Sequence, residues 1–561
     1  MRKKRILFCS EATFLNTGYA TYTREIMKYL HSTGKYHLAE LASYASPEDQ
    51  RHHGIPWDFY PAAISPNDSE QIKKAYQSTP ENQFGAFKFH EVCLDFKPDI
   101  VCDIRDFWML EFESRSPYRD FFKWCIMPTV DASPQAQNWL STFQSADACL
   151  TYSDWAGKIL KEQTGNKINW IGSAPPSAHP AYSVSLKQSE SREKMRLPQS
   201  AKIVGTVMRN QRRKLYPDLF KSFKLLLDKV DDPENYFLYC HTSYPDMGWD
   251  IPELLNEHNL ADKVYFTYLC NHEKKPFAAK FAGTPSFSPF TNKNTGVFPS
   301  VQFGLSYEEL AQVINCFDLY IQYANSEGFG LPQVEAAAVG VPVASVNYSA
   351  METVIEKLDG IKLEPAGYYK ELETGCERAV PDNELTANLM LEFLSKPSFE
   401  RQKKGFCTKQ KFLEFFQWDL SGSVWEKYFD SVDIVDEKLT WLSKPDLKPI
   451  PPRPKEEEIY SHFKNNEFEI AEWLITNVLQ VSKYINSDMH YRLSKDLKYK
   501  LVTASTTSGG YYINDSSMHS LEGGGNKRIP FTFNNAFDFL ANQRNYINSV
   551  ENKRVEKFNL K

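Results

Sequence analysis

Residues 325–352 read NSEGFGLPQVEAAAVGVPVASVNYSAME, and this stretch decides the fold class. Just before it, Asp318-Leu-Tyr-Ile-Gln-Tyr323 alternates and is rich in aromatic residues, as a buried strand does. Inside it, Val341-Pro-Val-Ala-Ser-Val346 has the pattern of the next strand. Between the two, a turn holding Gly328 and Gly330 opens into a helix with Pro332 in its first turn, where a missing N–H leaves nothing unpaired. Strand, turn, helix and strand in that order form the unit of an α/β domain. Two carboxylates sit on it: Glu327 just before the glycines, and Glu335, expected in the first helical turn.

Glycines let backbone come close to a ligand, and the open N–H groups at a helix start favour a phosphate or sugar oxygen. At the expected position of Glu335 the helix dipole favours a carboxylate, which can accept from paired hydroxyls. Two carboxylates and a row of amides suit a polyhydroxylated, phosphorylated ligand, a nucleotide sugar. Two glutamates at this spacing, taken alone, read more readily as a helix cap or as solvent-facing side chains than as a ligand site. The string S-E-G-F-G-L-P-x-x-E-A followed by G-V-P-V-A resembles the E-x7-E region of retaining GT-B glycosyltransferases, family 4 (glycosyl transferases group 1) in particular. The resemblance implies that Glu327 contacts donor-sugar hydroxyls, that Glu335 binds the nucleotide ribose, and that the amides of Gly328, Phe329, Gly330 and Leu331 hold sugar and diphosphate. It also implies an α/β GT-B fold of two facing Rossmann-like domains with the donor in the cleft between them.

The totals are compatible. A chain of 561 residues, 42% hydrophobic and 14% aromatic, can bury several cores. A net charge of −6 excludes an overall electrostatic grip on nucleic acid but leaves a local basic patch open. The basic start Met1-Arg-Lys-Lys-Arg5 is followed by only Ile6 to Cys9 before polar residues, too short for a signal peptide, and no later run spans a bilayer. Ten cysteines without a CxxC pair read as reduced core residues, so a cytoplasmic location is expected.

From the start of the chain, Arg5 to Cys9 reads as a strand and residues 16–21 as a loop into a helix with Tyr22, Ile26, Met27 and Leu30 inward. Gly18 in that loop would let backbone approach a diphosphate; a simple turn fits as well. Strands are expected at 99–103, 122–127, 148–152 and 167–171. The second ends in Pro128-Thr-Val-Asp131, where many members of the resembled family carry a histidine near the reacting carbon. Asp131 is expected to contact a donor or acceptor hydroxyl, the alternative being a cap for the following segment. Past a polar stretch ending near Gln199, a strand at 202–208 empties into Arg209-Asn-Gln-Arg-Arg-Lys214. Cations at a strand end can neutralise a leaving diphosphate. Arg209 and Lys214 match the Arg and Lys that the family places there, and Arg212 and Arg213 fit less closely.

An insertion at 269–304, rich in Phe, Pro, Lys and Asn, is expected to form a hairpin or lid and a candidate acceptor surface. Its Cys270-Asn-His272 lacks a second ligand pair, so no metal site is expected. The segment 412–432 resembles the helix that crosses back to the first domain in GT-B enzymes. The expected organisation is an N-terminal, acceptor-side domain at 1–180, a nucleotide-sugar domain at 181–400, the crossing helix at 401–435, and a linker plus C-terminal extension of mixed or helical structure at 436–561. That extension is open to self-association, with packing on the other domains the preferred reading.

The expected function is therefore retaining transfer of a hexosyl or pentosyl group from a nucleotide-diphosphate sugar, UDP-linked in the favoured case, to a hydroxyl of a glycan or small molecule, without a required cofactor. One alternative is a phage-type transferase acting on hydroxymethylated DNA. Another is a nucleotide-sugar-binding assembly protein without turnover.

Overall fold

The computed structural model describes residues 2–116, 118–300, 303–436, 440–441, 448–480, 512–514, 528–530, 532–542, 544–545 and 549. The Gly-rich segments 508–510 and 523–525 lie outside them. The chain divides into two compact units, one of residues 1–126, 145–147 and 432–561, the other of residues 127–144 and 148–431.

In the first unit, strands β1 (Arg5–Glu11), β2 (His37–Ser43), β3 (Asp58–Pro61), β4 (Ile100–Asp103) and β5 (Lys123–Ile126) pair in parallel in the order β3-β2-β1-β4-β5. Six consecutive residues of β1 are buried, which is what a parallel strand covered on both faces requires. Helix Gly18–Ser32 starts on the Thr17 side chain, which accepts from the Ala20 N–H, and turns Tyr22, Ile26, Met27 and Leu30 inward as their spacing predicts. At the end of β4, Arg105 is fully buried and donates to the Asp103 carboxylate, Ser43 Oγ and the Phe84 carbonyl, so this cation is a satisfied core group. Trp441, also buried, donates to the Pro98 carbonyl at 3.2 Å and packs its ring 5.0 Å from that of Phe121. The chain beyond the helix that ends at Ser431 therefore belongs to the first unit.

The second unit contains β6 (Ala148–Thr151) and β7 (Trp170–Ser173), a parallel pair, and a larger sheet. Its strands are β8 (Lys202–Val207), β9 (Tyr236–His241), β10 (Val264–Cys270), β11 (Pro276–Lys280), β12 (Ser286–Ser288), β13 (Lys293–Val297), β14 (Leu319–Gln322), β15 (Val343–Val346) and β16 (Ile361–Leu363). The parallel part runs β10-β9-β8-β14-β15-β16. Numbered within the unit this is 3-2-1-4-5-6, the Rossmann order, with its reversal between β8 and β14. The insertion continues this sheet as antiparallel strands: β11 pairs with β10, and β12 and β13 form a hairpin whose second strand also reaches β10. Its Phe277 and Phe298 are buried beside Phe266 and Tyr268, so these aromatic residues build core; Phe287 stays exposed. Cys270 Sγ lies 3.4 Å from Thr295 Oγ1.

Two elements differ from expectation. The helix expected at 412–432 is two helices, Ser398–Phe415 and Trp418–Ser431, because Phe416 leaves helical geometry (φ −125°, ψ 71°). After β16 comes an antiparallel hairpin, β17 (Pro365–Lys370) and β18 (Glu377–Pro381), whose polar sequence shows no clean period.

Candidate donor site at the switch point of the second sheet

In open parallel sheets ligands bind outside the carboxyl ends of the strands, where the strand order reverses. Here those ends are the loops after β8 and β14, and backbone hydrogen bonds join them: Leu215 N to Tyr323 O at 3.0 Å and Asn325 N to Arg213 O at 2.9 Å. The joining carries Arg213 and Lys214 to Glu327. The Glu327 carboxylate, buried, accepts from the Lys214 ammonium, the Arg213 guanidinium and the Gln322 amide, the last at 2.8 Å. Its backbone N–H donates to Ser349 Oγ at 2.9 Å. Burial and the Arg213 charge push the Lys214 ammonium well below its ordinary range, and the carboxylate in contact opposes them.

The turn after Glu327 is close-packed. A Cβ on Gly328 would stand 2.5 Å from Thr129 Cγ2. Gly330, at φ 85° and ψ 53°, caps helix Leu331–Val339 in the left-handed region that a side chain disfavours. Leu331 opens the helix, and the Phe329 ring packs edge-on to Phe416. Glu335 lies in the second helical turn, not the first as expected, because the helix begins at Leu331 and no acidic residue falls in its first turn. Desolvation raises Glu335 from 4.5 to about 7, opposed by the hydrogen bond from Tyr182, which stands in the short helical turn Pro180–Ser183.

Asp131 accepts from Arg378 Nη1 at 2.9 Å, and the same guanidinium donates to Ser326 Oγ and Glu371. Arg209 is not among the groups around Glu327: its half-exposed guanidinium forks onto Asp246 at 2.8 and 3.0 Å, holding that carboxyl near 2. Gly18 begins the first helix of the other unit, with open space where a Cβ would stand.

Sequence reasoning missed Gln322, Ser349, Tyr182, Asp246 and Arg378. Only Gln322 carried a signal, a polar residue in a strand otherwise apolar on both faces. Among the described residues one set has metal-ligand spacing, Cys9, Asp103 and Glu113, with candidate ligand atoms within 4.8 Å of one another. Arg105 already donates to Asp103 and the Trp124 indole to Glu113, so their charge has partners within the core of the first unit. No helix among the described residues is long and apolar enough to cross a membrane.

Residues 293–390, which carry Glu327, Glu335 and the hairpin, match the family model "Glycosyl transferases group 1". Sucrose-phosphate synthase from Thermosynechococcus elongatus superposes with a TM-score of 0.56 at 16% identity, covering 77% of this chain and 100% of that one. The fold is GT-B. Anabaena HepE in complex with UDP and glucose shares this GT-B fold (TM-score 0.53, 13% identity, 76% and 100% coverage), as does a glycosyltransferase from Rickettsia africae (0.51, 14%, 77% and 98%). A search of curated proteins gives no match. Two sheets with a 3-2-1-4-5 strand order are what this GT-B chain brings to the comparison on its own.

Proposed function

We propose that this chain is a retaining glycosyltransferase that moves a sugar from a nucleotide-diphosphate sugar, UDP-linked in our reading, to a hydroxyl of a glycan or small molecule. The observation that carries the reading is the buried Glu327 carboxylate at the switch point, set among Lys214, Arg213 and Gln322 rather than in solvent. A carboxylate so fixed can orient sugar hydroxyls, and the cations beside it can take up charge that develops on a leaving diphosphate. The N–H groups opening helix Leu331–Val339 add to that stabilisation. Glu335, ionised above about pH 7, would accept from the paired ribose hydroxyls. Asp131, a third of its side chain exposed, would contact a sugar or acceptor hydroxyl.

In this reading the bond from the anomeric carbon to the phosphate oxygen breaks as the acceptor oxygen bonds on the same face, and the departing phosphate takes the acceptor's proton. Arg209, Arg213 and Lys214 supply the charge compensation, so no metal ion is required. Support comes from the group 1 match over 293–390 and from a structural neighbour bound to UDP and glucose. Nucleotide release from a panel of UDP-, GDP- and ADP-sugars, with candidate acceptors, tests it. One donor should be turned over by the wild type, and Glu327→Gln should lower kcat by roughly a hundredfold or more. Retention is read separately, from the anomeric configuration of the product by NMR. Unchanged turnover in the variant would refute the role of Glu327, and an inverted product would refute retention.

A further inference from the structure

We propose that Arg378, carried on the hairpin β17–β18, is a positioning residue that fixes Asp131 and the Glu327 turn relative to each other; its catalytic consequence rests on the glycosyl-transfer reading above. Three consecutive residues of β18 span two segments almost two hundred positions apart in sequence. The Glu377 N–H donates to the Ser133 carbonyl at 2.8 Å, and the Ala379 N–H donates to the Asn325 carbonyl at 3.0 Å. Between them the Arg378 side chain donates through Nη1 to both Asp131 Oδ2, at 2.9 Å, and Ser326 Oγ, at 2.5 Å. Its other edge is anchored within the hairpin, Nε and Nη2 donating to Glu371 Oε2 at 3.1 and 2.7 Å. The first strand of the hairpin adds a further tie, Asn325 Nδ2 donating to the Tyr369 hydroxyl at 3.0 Å.

The charge and shape of the group fit this task. The Arg378 side chain is 9% exposed, whereas Asp131 and Glu371 keep 34% and 27%, so the cation is the enclosed member and the carboxylates flank it. A guanidinium is planar and holds its donors in a fixed fork; an ammonium in the same place would be a point charge without that geometry. Asp131 has no other hydrogen bond among the described residues. Its carboxylate is thus reachable from solvent while its direction is set by Arg378. Ser326 adjoins Glu327, so one guanidinium sets the separation of the Asp131 and Glu327 carboxylates. Since both flanking carboxylates are partly exposed, removing the guanidinium leaves neither charge stranded in the core, and the fold should survive.

The test uses full-length Arg378→Gln and Arg378→Lys, read first by hydrogen exchange and then by turnover. Peptides covering 131–135 and 325–330 should exchange faster in both variants while peptides from β8 and β9 keep wild-type rates; unchanged exchange at those two segments overturns the positioning role. With the donor that the wild type turns over, Arg378→Gln should lower kcat by about a hundredfold and leave donor KM within about threefold. Combined with Asp131→Asn it should add little, since the two act as one unit. A wild-type kcat in Arg378→Gln, or full additivity with Asp131→Asn, overturns the catalytic consequence. Faster exchange at both segments in a protein that releases nucleotide from no donor supports positioning and overturns the glycosyl-transfer reading instead.

Discussion

Glu335 titrates near neutrality because burial disfavours its charge, and this has a cost in stability with a definite sign. In the unfolded chain the group ionises around its ordinary 4.5, whereas in the folded protein it stays neutral up to about 7. Below both values the proton is bound in either state and folding pays nothing for it. Between them only the unfolded chain releases the proton, so stability falls as pH rises from about 4.5 to about 7, and above that the loss is constant at about 3 kcal/mol. Glu335→Gln should remove this slope. Denaturant midpoints at pH 5 and pH 8 check it: the variant should gain on the wild type at the higher pH, and an equal difference at both values would overturn the assignment. The two glutamates were legible in the sequence through their string, but their surroundings were not. Arg213 reaches Glu327 because the loops after β8 and β14 are joined, while Arg209 turns to Asp246 in the loop after β9, and spacing along one loop carries no information about the others.

At the scale of elements, the Glu327 turn depends on a residue without a side chain at the cap of the next helix. Gly330→Ala would place a Cβ in the left-handed region and 2.6 Å from Gln333 Nε2. It should destabilise the second unit by about 1–2 kcal/mol, read from urea unfolding, because the backbone strain cannot be relieved without moving the helix start. An unchanged midpoint would mean that the turn adopts another conformation in solution. The parallel strands and their helices were legible because hydrophobic runs and periodic faces mark them directly. The hairpin β17–β18 was not, since its strands alternate irregularly and leave Tyr368 and Tyr369 exposed. The split of the expected single helix into Ser398–Phe415 and Trp418–Ser431 was hidden as well, because no glycine or proline marks the break.

At the scale of the whole molecule, the sequence carries a net charge of −6, and the cations of the candidate site are already paired. Arg209 is held by Asp246, Lys214 and Arg213 by Glu327, and Arg378 by Asp131 and Glu371. A binding protein with uncovered cations loses affinity steeply as salt rises, each neutralised charge contributing to the slope. Here nucleotide affinity should fall by less than about threefold between 50 and 200 mM salt, a dependence that titration calorimetry would reveal. A steep loss would show that the cations stand uncovered in solution. If the proposed donor binds here, its diphosphate would take its place by trading partners with a resident carboxylate, and each carboxylate would reclaim its cation when the spent nucleotide departs. On the proposed reading the site would work as an ion exchanger rather than a magnet, with its own acidic residues as the eluent.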